Sequence, residues 1–297
     1  MSNDPIVVAL EPNEEGKLVF AAASRIAASQ HRDLHPINVV RPAITIYADL
    51  NFSPLTETAL DWQRELLREN RAYLERIPEL AANHMANLTV VEGNPIYEIS
   101  NAIDKNGASL AVMGVHNRKG FKRLLGSTTH GVLNSTNCDV LAVHPDGESK
   151  VYSRVLIAVD TSDLLDLVLA KAAPYCESAE RVDIVSVIVP LTRVFPSPEA
   201  AIGLQPSFAA LTEDIKQQTS TKIAAAVDNA GLSGFTVDVR MGDPRDEIVA
   251  AAKENKTDLI VMGSNNRGAI NRLLVGSTAR GVLDHTPCDV LVCRDRQ

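Results

Sequence analysis

Short apolar runs rich in β-branched residues alternate along this chain with longer stretches whose apolar positions recur at helical spacing. Ile6–Leu10 is the first run and reads as a strand buried on both faces. An Ala-rich helix is expected over Glu14–Gln30 and a second strand over Leu34–Val40. A long helix follows from Thr56 to about Ala82, with Leu60, Leu67, Leu74 and Ile77 on one stripe. Leu88–Val91 is the third strand. Gly93-Asn94-Pro95 ends it and opens a helix, because asparagine caps and proline suits the first helical position. Ser109–Val115 is a fourth strand, Ser127–Ser135 a helix and Cys138–Val143 a fifth strand. The cycle then restarts, with strands at Val155–Asp160, Arg181–Val189, Phe235–Arg240, Asp258–Met262 and Cys288–Cys293. Helices are expected over Leu164–Ala179 and up to about Ala230, and Gly242-Asp243-Pro244 repeats the earlier cap.

The restart is a repeat in the residues themselves. Val112-Met113-Gly114 and Val261-Met262-Gly263 each end a fourth strand, and Gly126-Ser127-Thr128 and Gly276-Ser277-Thr278 each open the next helix. Gly-Val-Leu and then Cys-Asp-Val-Leu follow in both copies. The offset is 149 residues from Gly114 to Gly263 and 150 from Gly126 to Gly276, so the loop between gained one residue. Two domains follow, residues 1–147 and 151–297, with linker chemistry at Pro145–Lys150. Each is expected to be α/β, a five-stranded parallel open sheet with helices on both faces, since strands alternating with helices imply right-handed crossovers. Ligands of such sheets sit beyond the carboxyl ends of the strands, where strand order reverses. The loops at Asp160-Thr161-Ser162 and from Gly263 onward are the natural flanks of that crevice.

Composition narrows the partners. Lys and Arg total 29 against 37 Asp and Glu, a formal net charge of −8, which argues against a nucleic-acid-binding face. The first residues lack a basic region followed by a long apolar one, and no apolar run approaches the roughly 20 residues that cross a bilayer. Four cysteines without a CxxC pattern read as reduced thiols in a cytoplasm.

The repeated loop carries the candidate chemistry. Glycine after a strand lets a ligand approach the backbone, and Gly-Ser-Thr at a helix start offers N–H groups at the positive end of the helix dipole, which suits phosphate. Arg118, Lys119, Lys122 and Arg123 in one copy, and Arg267 and Arg272 in the other, add charge. The plainer alternative is a glycine turn, a serine N-cap and solvated basic residues. No GxxxxGK[ST] or strand-borne GxGxxG is present. His116 and His130 have no counterparts in the second copy, and no HExxH or GxSxG occurs, so neither a metal site nor a serine nucleophile is indicated. Asp139 and Asp289, beside a cysteine, read as surface caps or turn residues. The apolar stretches 41–54 and 190–208 are long for connections and read as packing surfaces, with a lid or an apolar ligand pocket as the alternative.

Over nearly its whole length the pattern resembles the universal stress protein family in its tandem form. ATP-binding members of that family carry Gly-x2-Gly-x8/9-Gly-[Ser/Thr] after the fourth strand. Here the spacing is Gly114-x2-Asn117-x8-Gly126-Ser127 and Gly263-x2-Asn266-x9-Gly276-Ser277. Asn117 and Asn266 depart from the pattern at the second glycine; asparagine tolerates a left-handed backbone but adds a side chain near the phosphates. The resemblance implies an adenine-nucleotide-hydrolase-like fold and a site in the second domain. Asp160 and Thr161 would lie near the adenosine, Val187 and Met262 against adenine, and Gly263, Asn266, Arg267, Gly276, Ser277 and Thr278 around the phosphates. A weaker first-domain set is Glu11, Val39, Met113, Gly114, Asn117, Gly126, Ser127 and Thr128, with Glu11-Pro12 in place of Asp160-Thr161. It further implies ATP as ligand, with Mg as its accompanying ion, in a cytoplasmic stress-response regulator that is at most an incidental ATPase. The two halves would pair as a pseudo-dimer through the edges at 138–143 and 288–293, with a homodimer as a further assembly. The alternatives are a scaffold that binds no nucleotide and a carrier of an apolar small molecule near 41–54 and 190–208.

Overall fold

The computed structural model describes residues 4–42, 57–83, 85–115, 126–145, 151–190, 205–264 and 275–295. They form two compact units that divide ahead of Val151. In the first, β1 (Ile6–Ala9), β2 (Leu34–Val40), β3 (Thr89–Glu92), β4 (Leu110–Gly114) and β5 (Asp139–Val143) make a parallel sheet in the order β3-β2-β1-β4-β5. In the second, β6 (Arg154–Ala158), β7 (Arg181–Ile188), β8 (Phe235–Met241), β9 (Leu259–Gly263) and β10 (Asp289–Cys293) repeat it as β8-β7-β6-β9-β10. Both units are α/β, as expected from the alternation of strands and helices.

The helices of the first unit are α1 (Glu14–Gln30), α2 (Glu57–Leu74), α3 (Pro78–Asn83), α4 (Pro95–Asn106) and α5 (Ser127–Leu133). Those of the second are α6 (Leu165–Cys176), α7 (Gln205–Asn229), α8 (Pro244–Glu254) and α9 (Ser277–His285). Chain direction across each sheet reverses after its third strand, so right-handed crossovers put α1 and α2 on one face and α4 and α5 on the other. Packing of α4 on α5 and of α6 on α7 follows that division. Ile6, Val7 and Val8 are wholly buried because β1 is covered on both faces, and each such side chain contributes roughly 1.5–3 kcal/mol.

Four details differ from the expectations. The long helix to Ala82 ends at Leu74, and α3 begins at Pro78; proline lacks the N–H to continue a helix and biases the preceding residue out of the helical region. Leu60 on the expected stripe is 49% exposed, whereas Leu74 and Ile77 are buried. The stretch 190–208 is not all loop, because α7 starts at Gln205 with Pro206 in its first turn, where a missing N–H is harmless. Asp289 is buried and accepts a 2.7 Å hydrogen bond from the Tyr152 hydroxyl, so it is no surface cap.

The two units hold their central strands by opposite means. Arg32 donates through Nε to Asp4 O at 2.7 Å and through Nη2 to Pro5 O at 3.2 Å, fixing the approach to β1. At β6 a carboxylate does the work: Asp258 accepts the N–H groups of Ser153 at 2.9 Å and Arg154 at 3.0 Å.

Candidate functional site

In the second unit β6 and β9 are neighbours, and β6 leads on to β7 while β9 leads on to β10 on the other side, so a crevice opens at the carboxyl ends of these strands. A cavity of about 380 Å³ lies there. One wall is Val185 and Val187, which share a face of β7 by their spacing of two, with Val189 just beyond the strand end. Met262 and Gly263 end β9 on the facing side, and a side chain at Gly263 would stand 3.3 Å from Leu164 Cδ1 and Val168 Cγ2. Asp160, Ser162 and Leu164 contribute from the turn after β6, Pro244 and Ile248 from α8, and Ser277, Thr278 and Ala279 from α9.

Polar groups gather at the rim. Asp160 Oδ1 accepts the Ser162 N–H at 3.0 Å, and the Ser162 hydroxyl accepts the Leu164 N–H at 3.4 Å. Serine does not cap the final helix: Gly276 is the N-cap, Ser277 is the first helical residue, and among the described residues no side chain caps this end. Gly126 and Ser127 repeat that arrangement in the first unit. By contrast α1, α4 and α8 carry Asn13, Asn94 and Asp243 as caps with side-chain hydrogen bonds to first-turn amides. Beside Val187 in strand register lies Arg240, whose Nε is 2.6 Å from Asp238 Oδ2. The carboxylates of Glu254 and Asp238 push the Arg240 pKa up, and Arg240 in turn holds Glu254 below its ordinary value.

Of the second-domain candidates, the structure brings Asp160, Val187, Met262, Gly263, Ser277 and Thr278 to one cavity. Thr161 and Gly276 flank it, the first giving its carbonyl to Lys222 and the second donating its N–H to Ser264 O at 3.2 Å. Asn266, Arg267 and Arg272 lie outside the described residues, as do Asn117, His116 and the basic residues of the first loop. Most of 41–54 and 190–204 lies outside them too.

In the first unit Met113 and Gly114 end β4, Val39 lies on β2, and Gly126, Ser127 and Thr128 open α5. Thr129 donates to Gly114 O at 2.9 Å. Glu11 stands in a turn pressed against Gly16 and accepts from Asn13 Nδ2 at 3.1 Å. Leu165, Val185, Val189, Ile248 and Ala279 were not among the sequence candidates; the two-residue period through Val187 was the signal that could have found the valines.

Among the described residues no group of three or more His, Cys, Asp or Glu is placed to hold a metal ion, and no helix is long and apolar enough to cross a membrane. None of the four cysteines forms a disulfide. Burial pushes the Cys176 thiol up to about 11 and the Cys288 thiol up to about 12. At pH 8 only about one Cys176 in a thousand is then thiolate, the reactive form. The native protein is therefore expected to leave Cys176 and Cys288 unlabelled by a thiol-disulfide reagent at pH 8, while guanidinium releases them. Prompt native labelling of either would contradict the burial found here.

The sequence profile of the universal stress protein family matches twice, over residues 2–144 and 152–294. The chain belongs to the universal stress protein family. It carries that family's domain in tandem. A universal stress protein of Methanocaldococcus jannaschii is 29% identical over 151 residues, covering 50% of this chain and 85% of its own length. A solved universal stress protein of Archaeoglobus fulgidus superposes with a TM-score of 0.65 at 20% identity, covering 99% of this chain and 97% of its own. A functionally unknown protein of Pseudomonas aeruginosa superposes with a TM-score of 0.65 at 18% identity, covering 98% and 92%. At those identities the likeness is one of fold, and it extends over both universal stress domains.

Proposed function

We propose that this tandem universal stress protein is a nucleotide-responsive regulator that binds ATP or a related adenine nucleotide in its second domain. One observation carries the reading: an aliphatic slot closed by Val187 and Met262 runs to a helix start that no side chain caps among the described residues. Adenine is flat and apolar enough for the slot, Asp160 stands at the turn where a ribose would lie, and the amides of Ser277 and Thr278 suit an anion. Gly263, where a Cβ would crowd Leu164 and Val168, keeps the floor open. Mg accompanying the nucleotide would neutralise part of the phosphate charge. On this reading the protein acts as a binder in the cytoplasm and not as a metabolic enzyme. A carrier of an apolar small molecule is the second reading, favoured by the aliphatic wall of Val185, Val187, Val189 and Ile248.

Calorimetric titration of ATP into the intact protein tests the choice. Micromolar binding is expected. Absence of heat, with uptake of an apolar fluorescent probe, would replace the first reading by the second.

A further inference from the structure

The geometry points to Lys222 as a positioning residue for the second-domain cavity, latching the turn that presents Asp160 to whatever binds there. Its Nζ donates to the carbonyl of Thr161 at 3.0 Å. Thr161 sits between two residues that line the cavity, Asp160 and Ser162. The turn is also held by the Asp160 and Ser162 side chains and by the Leu165 N–H, which donates to Ser162 O at 3.1 Å. Lys222 adds a link from the long helix α7. The stem starts from a fixed base, because Ile223 and Val227 on the same helix are wholly buried.

The first domain makes the same tie with different chemistry. Tyr73 lies 149 residues before Lys222, the offset that relates Gly114 to Gly263, and Leu74 is wholly buried as Ile223 is. The Tyr73 hydroxyl donates to Glu14 Oε1 at 3.2 Å, at the start of α1. Each domain thus ties its long helix, α2 or α7, to the segment that follows its first strand. A recurrent tie at one repeat position, built once from tyrosine and carboxylate and once from ammonium and carbonyl, marks a latch and not a chance surface contact. An exposed charged hydrogen bond adds little to global stability, so its effect falls on where the turn sits. A ligand that meets Asp160 on a held turn need not order that turn on binding, and affinity gains accordingly.

The ligand role rests on the nucleotide reading, whereas the latch does not, and the test separates them. Lys222→Met and Lys222→Arg are compared with the wild type by amide hydrogen exchange without ligand, thermal melting, and ATP calorimetry. In Lys222→Met the Ser162 and Leu164 amides are expected to exchange about tenfold faster at an unchanged melting temperature. ATP affinity is expected to fall about fivefold, and Lys222→Arg, which can still donate to the carbonyl, should recover most of it. Unchanged exchange in Lys222→Met overturns the latch. Faster exchange with undiminished ATP affinity overturns its positioning role. Faster exchange with no ATP heat even in the wild type keeps the latch and overturns the nucleotide reading.

Discussion

Gly276→Asp is expected to remove ATP binding from the second domain while leaving its fold intact. Gly276 holds φ −62° and ψ 154°, an extended conformation that aspartate adopts without strain. Aspartate is also among the best N-caps and exceeds glycine there by a few tenths of a kcal/mol, so the α9 end should be as stable as before or slightly more so. Its carboxylate would take the first-turn amides that a phosphate needs and would place a like charge beside it. Loss of the site is expected to weaken ATP by roughly a hundredfold, about 2.7 kcal/mol. Calorimetry beside a thermal melt reads both halves of the expectation. Undiminished ATP heat with a normal melt would mean that nucleotide binds away from the α9 start.

The largest expected loss of stability lies in the first domain, at Gly16. An added Cβ there would stand 1.9 Å from Glu11 O and 3.0 Å from Glu11 C, both backbone atoms. That carbonyl accepts the Asn13 N–H at 2.9 Å, and the Gly16 N–H is itself bound by Asn13 Oδ1 at 2.9 Å, so neither partner can swing aside alone. Overpacking against side chains costs about 1–3 kcal/mol, and against fixed backbone the upper end is expected for Gly16→Ala. Urea unfolding should show the transition of the first domain moving to lower denaturant while that of the second stays in place. A wild-type midpoint in Gly16→Ala would show that the turn yields after all. The residue 149 positions on is Leu165, which is buried and lines the cavity. One repeat position therefore presses a turn onto a helix in the first domain and builds a ligand wall in the second.

That contrast shows how far the residues could be read. The strands were legible because parallel, doubly covered strands such as Ile6–Ala9 and Leu259–Gly263 are unbroken apolar runs, and a repeat of known offset fixes equivalence. Helix ends were legible where a side chain makes the cap, as at Asn94-Pro95 and Asp243-Pro244. They were misread where backbone does it: Ser277 looks like a cap in sequence, but the chain enters α9 through Gly276. Pro78 was read through as helix because the stripe of Leu74 and Ile77 runs right up to it. For the site, Asp160, Val187 and Met262 came from the resemblance to the universal stress protein family. Leu165 and Ile248 came from no motif, since a wall is made by whichever side chains the crossing helices bring. Gly16 against Leu165 was visible in the sequence as a difference between copies, yet its meaning depends on a 1.9 Å approach that only coordinates supply.

The anchoring of β6 sets a timetable for biosynthesis. Ser153 and Arg154 wait for Asp258, some 105 residues later, and Tyr152 waits 137 residues for Asp289. A ribosome adding about 5–20 residues per second needs roughly 5 to 30 s to deliver those partners. Until then Val155–Ala158 lacks its β9 neighbour, and a central apolar strand stays open on one side. The first domain, whose strands are all made before Val151, can close in that interval. The first domain passes through the same stage earlier, since Ile6 pairs with Leu110, and translational pausing between residues 190 and 258 would lengthen the exposure of the second.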